Sequence, residues 1–181
     1  SVIAYRRRSE ELPKQTHFNI PIEVAYTAIP VVIVIFLFAT TLSTLAKTER
    51  LSSRPDLVIE ATSFQWQWRF HYPDRGVDVV GQTNHPAEMV LPAGATVRIV
   101  LTSADVIHAF FVPEFVVKHD AIPGRRTTFD IKATRPGVFD SGRCTVFCGL
   151  NHDRMTFSVK VVGRAEFESW MAANQTARTP G

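Results

Sequence analysis

The sequence predicts an all-β sandwich preceded by one transmembrane α-helix. Three observations carry this. Residues 24–46 contain no charged side chain, apolar and polar residues alternate in short runs beyond Leu57, and Gly/Pro turn signals separate those runs. Of the 181 residues 45% are apolar, enough for one membrane segment and one domain with a full core.

Residues 1–46 read as the membrane segment. The chain opens at Ser1 rather than Met, in the middle of a pattern, as a processed chain or a fragment would. The charge-free stretch spans about 35 Å at the helical rise, enough to cross a bilayer. Its centre, Val31-Val32-Ile33-Val34-Ile35-Phe36-Leu37-Phe38, is too long and too uniformly apolar for a buried soluble helix. Pro30 lies inside it, which membrane helices tolerate. The helix is expected at about 21–46. Arg6, Arg7, Arg8 and Lys14 precede it, while Lys47, Arg50 and Arg54 follow, a slight bias toward a cytoplasmic N-terminal side.

Residues 47–56 are polar, contain Pro55 and read as a linker. Residues 57–173 form the expected β domain. In 95–102, Val97, Ile99 and Leu101 oppose Thr96, Arg98 and Val100. In 155–162, Phe157, Val159 and Val161 oppose Thr156, Ser158 and Lys160, and 126–132 is a third strand. Pro92-Ala93-Gly94, Pro123-Gly124 and Pro136-Gly137 mark turns. Trp66, Trp68, Phe70 and Tyr72 share one face of another strand, a core or interface stripe. An amphipathic helix over 164–173 aligns Phe167, Trp170 and Met171, and 174–181 is expected to be a loose tail.

The formal net charge is +3. Residues 57–181 hold thirteen Lys/Arg against twelve Asp/Glu, so the domain lacks the concentrated basic face that nucleic acid needs. Two cysteines exclude a disulfide-rich scaffold, and no Cys-x-x-Cys-His motif attaches a c-type haem.

Those cysteines are Cys144 and Cys148, followed by His152 and Met155; His108 lies upstream at an expected strand edge. Thiolate, thioether and imidazole are soft donors, unsuited to magnesium or calcium. Zinc stays open, although it seldom recruits Met. A single-copper electron-transfer site needs one Cys, two His and a weak axial Met; the extra thiolate here is what two coppers need. Two sulfurs can bridge two such ions, with one His capping each; Met155 and a backbone carbonyl would then be weak axial donors. A disulfide or a pair of buried free thiols are the competing readings.

With these residues in view, the chain resembles subunit II of the haem–copper cytochrome c oxidases. Cys144 to Met155 matches that family's Cys-x-x-x-Cys-Gly-x-x-His-x-x-Met loop, and Asp105-Val-Ile-His108 with Val112-Pro113 matches its upstream motif. The stretch from Val117 to Arg125 is also similar to the family's. The resemblance implies a cupredoxin-like Greek-key sandwich behind a membrane hairpin, with residues 1–8 ending a first helix. It implies a dinuclear Cu-A centre of two copper ions held by His108, Cys144, Cys148, His152, Met155 and the carbonyl of Val146. Family members carry Glu at this last position, whose carboxylate holds magnesium at the subunit I interface; Val146 has no carboxylate. The approach Phe139-Asp-Ser-Gly-Arg143 is one residue longer than usual, and Arg143 replaces a common Gln.

By the same resemblance, Trp66 is the point where a cytochrome c-type donor delivers electrons. Glu23, in Ile22-Glu-Val-Ala-Tyr-Thr-Ala-Ile-Pro30, matches a Glu near a proton-channel mouth. The implied protein is the electron-input subunit of a terminal oxidase that couples oxygen reduction to proton pumping. Its expected partners are haem-bearing subunit I, other oxidase subunits, the cytochrome c donor and the lipid bilayer, with no nucleic acid. The expected location is a bacterial cell membrane with the C-terminal domain on the outer side, in preference to the mitochondrial inner membrane. Alternatives are a subunit of a Cu-A nitric oxide reductase and a membrane-anchored copper storage or delivery protein. His17, His71, His85 and His119 read as surface or loop residues without a role.

Overall fold

A computed structural model describes residues 6, 10, 11, 15–82 and 84–175. The expected end of a preceding helix, apart from Arg6, and residues 176–181 of the expected tail lie outside the described residues. The chain divides into two compact units, Ser1–Glu49 and Arg50–Gly181.

The first unit is dominated by helix α1 (Ile20–Thr48). Asn19 caps it: its side chain accepts the Ile22 N–H, while the Glu23 carboxylate accepts the Asn19 N–H at 2.9 Å. Pro21 sits in the first turn, where no intrahelical donor is missed. No side chain of α1 is buried, and the helix is long and apolar enough to cross a membrane. Several of its hydroxyls bond back to the preceding turn, Thr27 to the Glu23 carbonyl at 2.8 Å and Thr44 to the Thr40 carbonyl at 2.9 Å. These two O–H groups are therefore paired within the apolar run.

The second unit is an all-β, cupredoxin-like sandwich of two five-stranded sheets. The strands are β1 (Leu57–Phe64), β2 (Gln67–Tyr72), β3 (Val77–Val80), β4 (Ala87–Pro92), β5 (Thr96–Ser103), β6 (His108–Val112), β7 (Val117–Ala121), β8 (Thr127–Lys132), β9 (Gly137–Arg143) and β10 (Thr156–Val162). One sheet has the order β3-β2-β1-β5-β8 and the other β4-β10-β9-β6-β7. β1 runs parallel to β5 and β10 parallel to β4; the remaining pairs are antiparallel.

The period-two pattern explains the core. Val97, Ile99 and Leu101 of β5 and Phe157, Val159 and Val161 of β10 are all buried in the one core between the sheets. Trp68, Phe70 and Tyr72 of β2 are fully buried as well. Trp68 and Phe110 both pack on Phe157, with ring centroids 5.2 and 4.9 Å away. The Tyr72 hydroxyl stays paired by accepting the Val90 N–H at 2.8 Å and donating to the Val90 carbonyl at 3.1 Å. Trp66 stands before β2, half-buried, at the edge of this stripe.

β9 carries a bulge shortly before Cys144. Phe157 of β10 pairs with Gly142 and Val159 with Phe139, so β9 carries one more residue than its partner there. The segment after α1 is tied down: the Ser52 N–H reaches Asp130 at 2.6 Å, and Arg98 holds both the Ser52 carbonyl and Asp130. Helix α2 (Arg164–Asn174) buries Phe167 and Met171 and lays Trp170 against Tyr72. His71 and His119 are half-buried strand residues rather than loop residues; His119 stacks on Phe129.

Candidate metal centre

Two segments meet at one end of the second sheet. β6 opens with His108, and the connection from β9 to β10 carries Cys144, Cys148, His152 and Met155. The Cys144 N–H donates to the Met155 carbonyl at 3.0 Å, closing the neck of that loop. A short 3-10 turn, His152–Arg154, folds His152 back toward Cys148.

The potential ligand atoms of His108, Cys144 and Cys148 lie within 4.8 Å of one another. The two thiols are free, with sulfurs 3.9 Å apart. Each has its own imidazole: His108 Nδ1 lies 3.9 Å from the Cys144 sulfur and His152 Nδ1 lies 3.4 Å from the Cys148 sulfur. The Met155 sulfur is 3.8 Å from Cys148, and the Val146 carbonyl oxygen is 3.3 Å from the Cys144 sulfur. His108 and Met155 are fully buried, both cysteines nearly so, and His152 is half-buried. All six positions read from the sequence thus converge on one place.

Electrostatics favour a thiolate at this place. Burial pushes the Cys144 thiol up, but His108 and the Ala109 and Val146 backbone contacts outweigh it and bring it down to about 7. Burial and the neighbouring Cys144 charge push Cys148 up to about 12, since two like charges so close resist ionising together. A cation between the sulfurs removes that conflict. Two thiolates, two imidazoles, a thioether and a carbonyl suit copper, so the residues present fit the metal.

Sequence reasoning gave no role to Asp105, Gln65 and Gly149, which build the site. Asp105 contacts His108 Nε2 at 2.8 Å, which fixes the ring and leaves Nδ1 for the sulfur side. Gln65 and Trp66 both donate to the Cys148 carbonyl, at 2.8 and 3.2 Å. A Cβ on Gly149 would press on the Gln65 and Trp66 side chains at 3.1 to 3.3 Å, and its φ of +121° is one that other residues rarely adopt. An Asp three residues before a ligand His was the readable signal; the Gln65 contact spans more than eighty residues and left none. Glu23, in the other unit, caps α1.

Residues 77–162 match the family described as cytochrome c oxidase subunit II, periplasmic domain. A probable cytochrome c oxidase subunit 2 of Rickettsia bellii is 30% identical over 99% of this chain and 71% of its own length. The crystal structure of the periplasmic domain of subunit II of cytochrome oxidase from Bradyrhizobium japonicum is 39% identical, with a TM-score of 0.62, and the match covers 68% of this chain and 96% of that domain. The chain belongs to the cytochrome c oxidase subunit II family. A probable cytochrome c oxidase subunit 2 of Streptomyces avermitilis is 38% identical over 91% of this chain, which spans 64% of that relative's length. This member carries Val146 between its two cysteines, with Phe147 and Leu150 projecting into solvent beside it, 81% and 87% exposed.

Proposed function

We propose that this chain is the electron-input subunit of a haem–copper terminal oxidase in a bacterial membrane, with its β domain on the outer side. The observation that carries the reading is the pair of unbonded sulfurs 3.9 Å apart, each with its own imidazole. Cys144, Cys148, His108, His152, Met155 and the Val146 carbonyl would hold the copper, the two thiolates being shared between the ions. Two copper ions held there supply a redox centre that takes up and releases single electrons.

The chain's own residues do the rest. Asp105 holds the His108 ring in one orientation. Burial of His108, Cys144 and Met155 keeps water from the sulfurs. Strands β6, β9 and β10, which carry or flank the ligand residues, keep the donors in place, so the site changes little between redox states. The Trp66 indole N–H reaches the carbonyl of a ligand residue, giving a short covalent and hydrogen-bonded route from a half-exposed ring to the Cys148 sulfur. That route favours a cytochrome c-type donor at Trp66. Burial of the ligands favours retained copper over a storage or delivery role.

The expected acceptor is haem in subunit I, where oxygen is reduced and protons are pumped. Glu23 is assigned to the mouth of a proton channel by the family likeness alone; its carboxylate also caps α1. Without a carboxylate at Val146, this chain contributes no magnesium ligand there.

Titrating the reduced, detergent-solubilised chain with copper tests the reading. Two coppers bound per chain, with both thiols protected from alkylation, are expected. One copper per chain, or a preference for zinc, contradicts it.

A further inference from the structure

We propose that Gln65 is a positioning residue of the sulfur pair, clamping the Cys148 peptide in place. The inference deepens the copper reading above and rests on it for its purpose, but not for its geometry. Gln65 is exposed and contributes nothing to the core, yet its Nε2 donates to the Cys148 carbonyl at 2.8 Å across more than eighty residues of sequence. The Trp66 Nε1–H donates to the same oxygen at 3.2 Å. A carbonyl held by two donors from an adjoining strand start cannot swing, and the Cys148 sulfur hangs from the same residue.

The main chain of Gln65 completes the strap. Its N–H donates to Asp105 Oδ2 at 2.6 Å, while Asp105 Oδ1 contacts His108. One dipeptide, Gln65-Trp66, therefore joins both ligand-bearing segments, the start of β6 and the loop after β9. Gly149 leaves room for the two donors; a methyl there would meet Gln65 Nε2 at 3.2 Å and Trp66 Nε1 at 3.3 Å. The clamp requires all three residues.

The test uses the full chain in detergent, reduced and copper-free, with its cysteine carbonyls isotopically labelled. Gln65→Met keeps the length of the side chain and removes the donor. Its infrared spectrum is expected to show one of the two cysteine carbonyl bands moved to higher frequency. Amide exchange is expected to rise roughly three- to tenfold within 144–155 alone, the scale of one lost hydrogen bond. Gly149→Ala, which pushes both donors away, is expected to give the same signature. Unmoved carbonyl bands in both variants, or exchange raised equally in every strand, overturn the proposal. Failure of the copper reading shows separately, in metal stoichiometry.

Discussion

Asp105 meets the Nε2 edge of His108 at 2.8 Å and thereby turns the opposite ring nitrogen toward the Cys144 sulfur. Burial drives the His108 imidazole down, but its contacts with Cys144 and Asp105 outweigh this and raise it. Outer partners of this kind set ligand orientation. Asp105→Ala is expected to weaken copper binding by about 10- to 100-fold and also to lower the melting temperature, since it leaves the Gln65 N–H and the buried His108 Nε2 without their partner. Competition with a copper chelator measures this; unchanged affinity would show that the contact is incidental.

Trp66 touches a ligand residue and is half-exposed, unlike Trp68, Phe70 and Tyr72 on the same face. Trp66→Ala is expected to slow reduction by cytochrome c roughly tenfold or more, equivalent to about 1.4 kcal/mol in the activation free energy. Stopped-flow reduction of the assembled oxidase reads the rate. An unchanged rate removes Trp66 from the electron path.

Asp130 links the segment at Ser52 to the β domain through Arg98. Burial pushes its carboxyl up, but Arg98 and the Ser52 N–H outweigh this and hold it below the ordinary carboxylate range. A carboxyl depressed in the folded state stabilises the fold above its unfolded value, near pH 4, and loses that contribution as the pH falls through the folded value. Asp130→Asn is therefore expected to melt below the parent at about pH 7, with the gap closing below about pH 4. A gap of constant size across that range contradicts the assignment.

Val116 sits at φ 53°, ψ 38°, the left-handed region, with its side chain 93% exposed. A β-branched residue is strained there by about 1–2 kcal/mol. Glycine relieves the strain but adds roughly 0.5–1 kcal/mol of unfolded-chain entropy. Val116→Gly is expected to raise the melting temperature by a few degrees at most. A lower melting temperature would mean that Val116 makes contacts outweighing its backbone cost.

The parts of this protein that follow a period were legible in the sequence. The alternation of Val97, Ile99 and Leu101 fixed one inner face, the charge-free run gave α1, and Cys144 to Met155 announced its chemistry by spacing. What was hidden is contact across distance. Gln65 reaches Cys148 because β1 and β2 place it there, and Gly149 is glycine because two side chains arrive from that strand pair. The bulge at β9 left no signal in the sequence; its register is set by Gly142, where a Cβ would stand 2.6 Å from Phe157.

Electron paramagnetic resonance of the copper-loaded chain, holding one unpaired electron per site, tests the central claim most directly. One electron spread over two coppers gives more hyperfine lines than a single nucleus allows, and replacing either Cys144 or Cys148 with serine collapses the pattern. A single-copper spectrum from the parent chain, or a silent chain whose two sulfurs are joined to each other, would contradict the account.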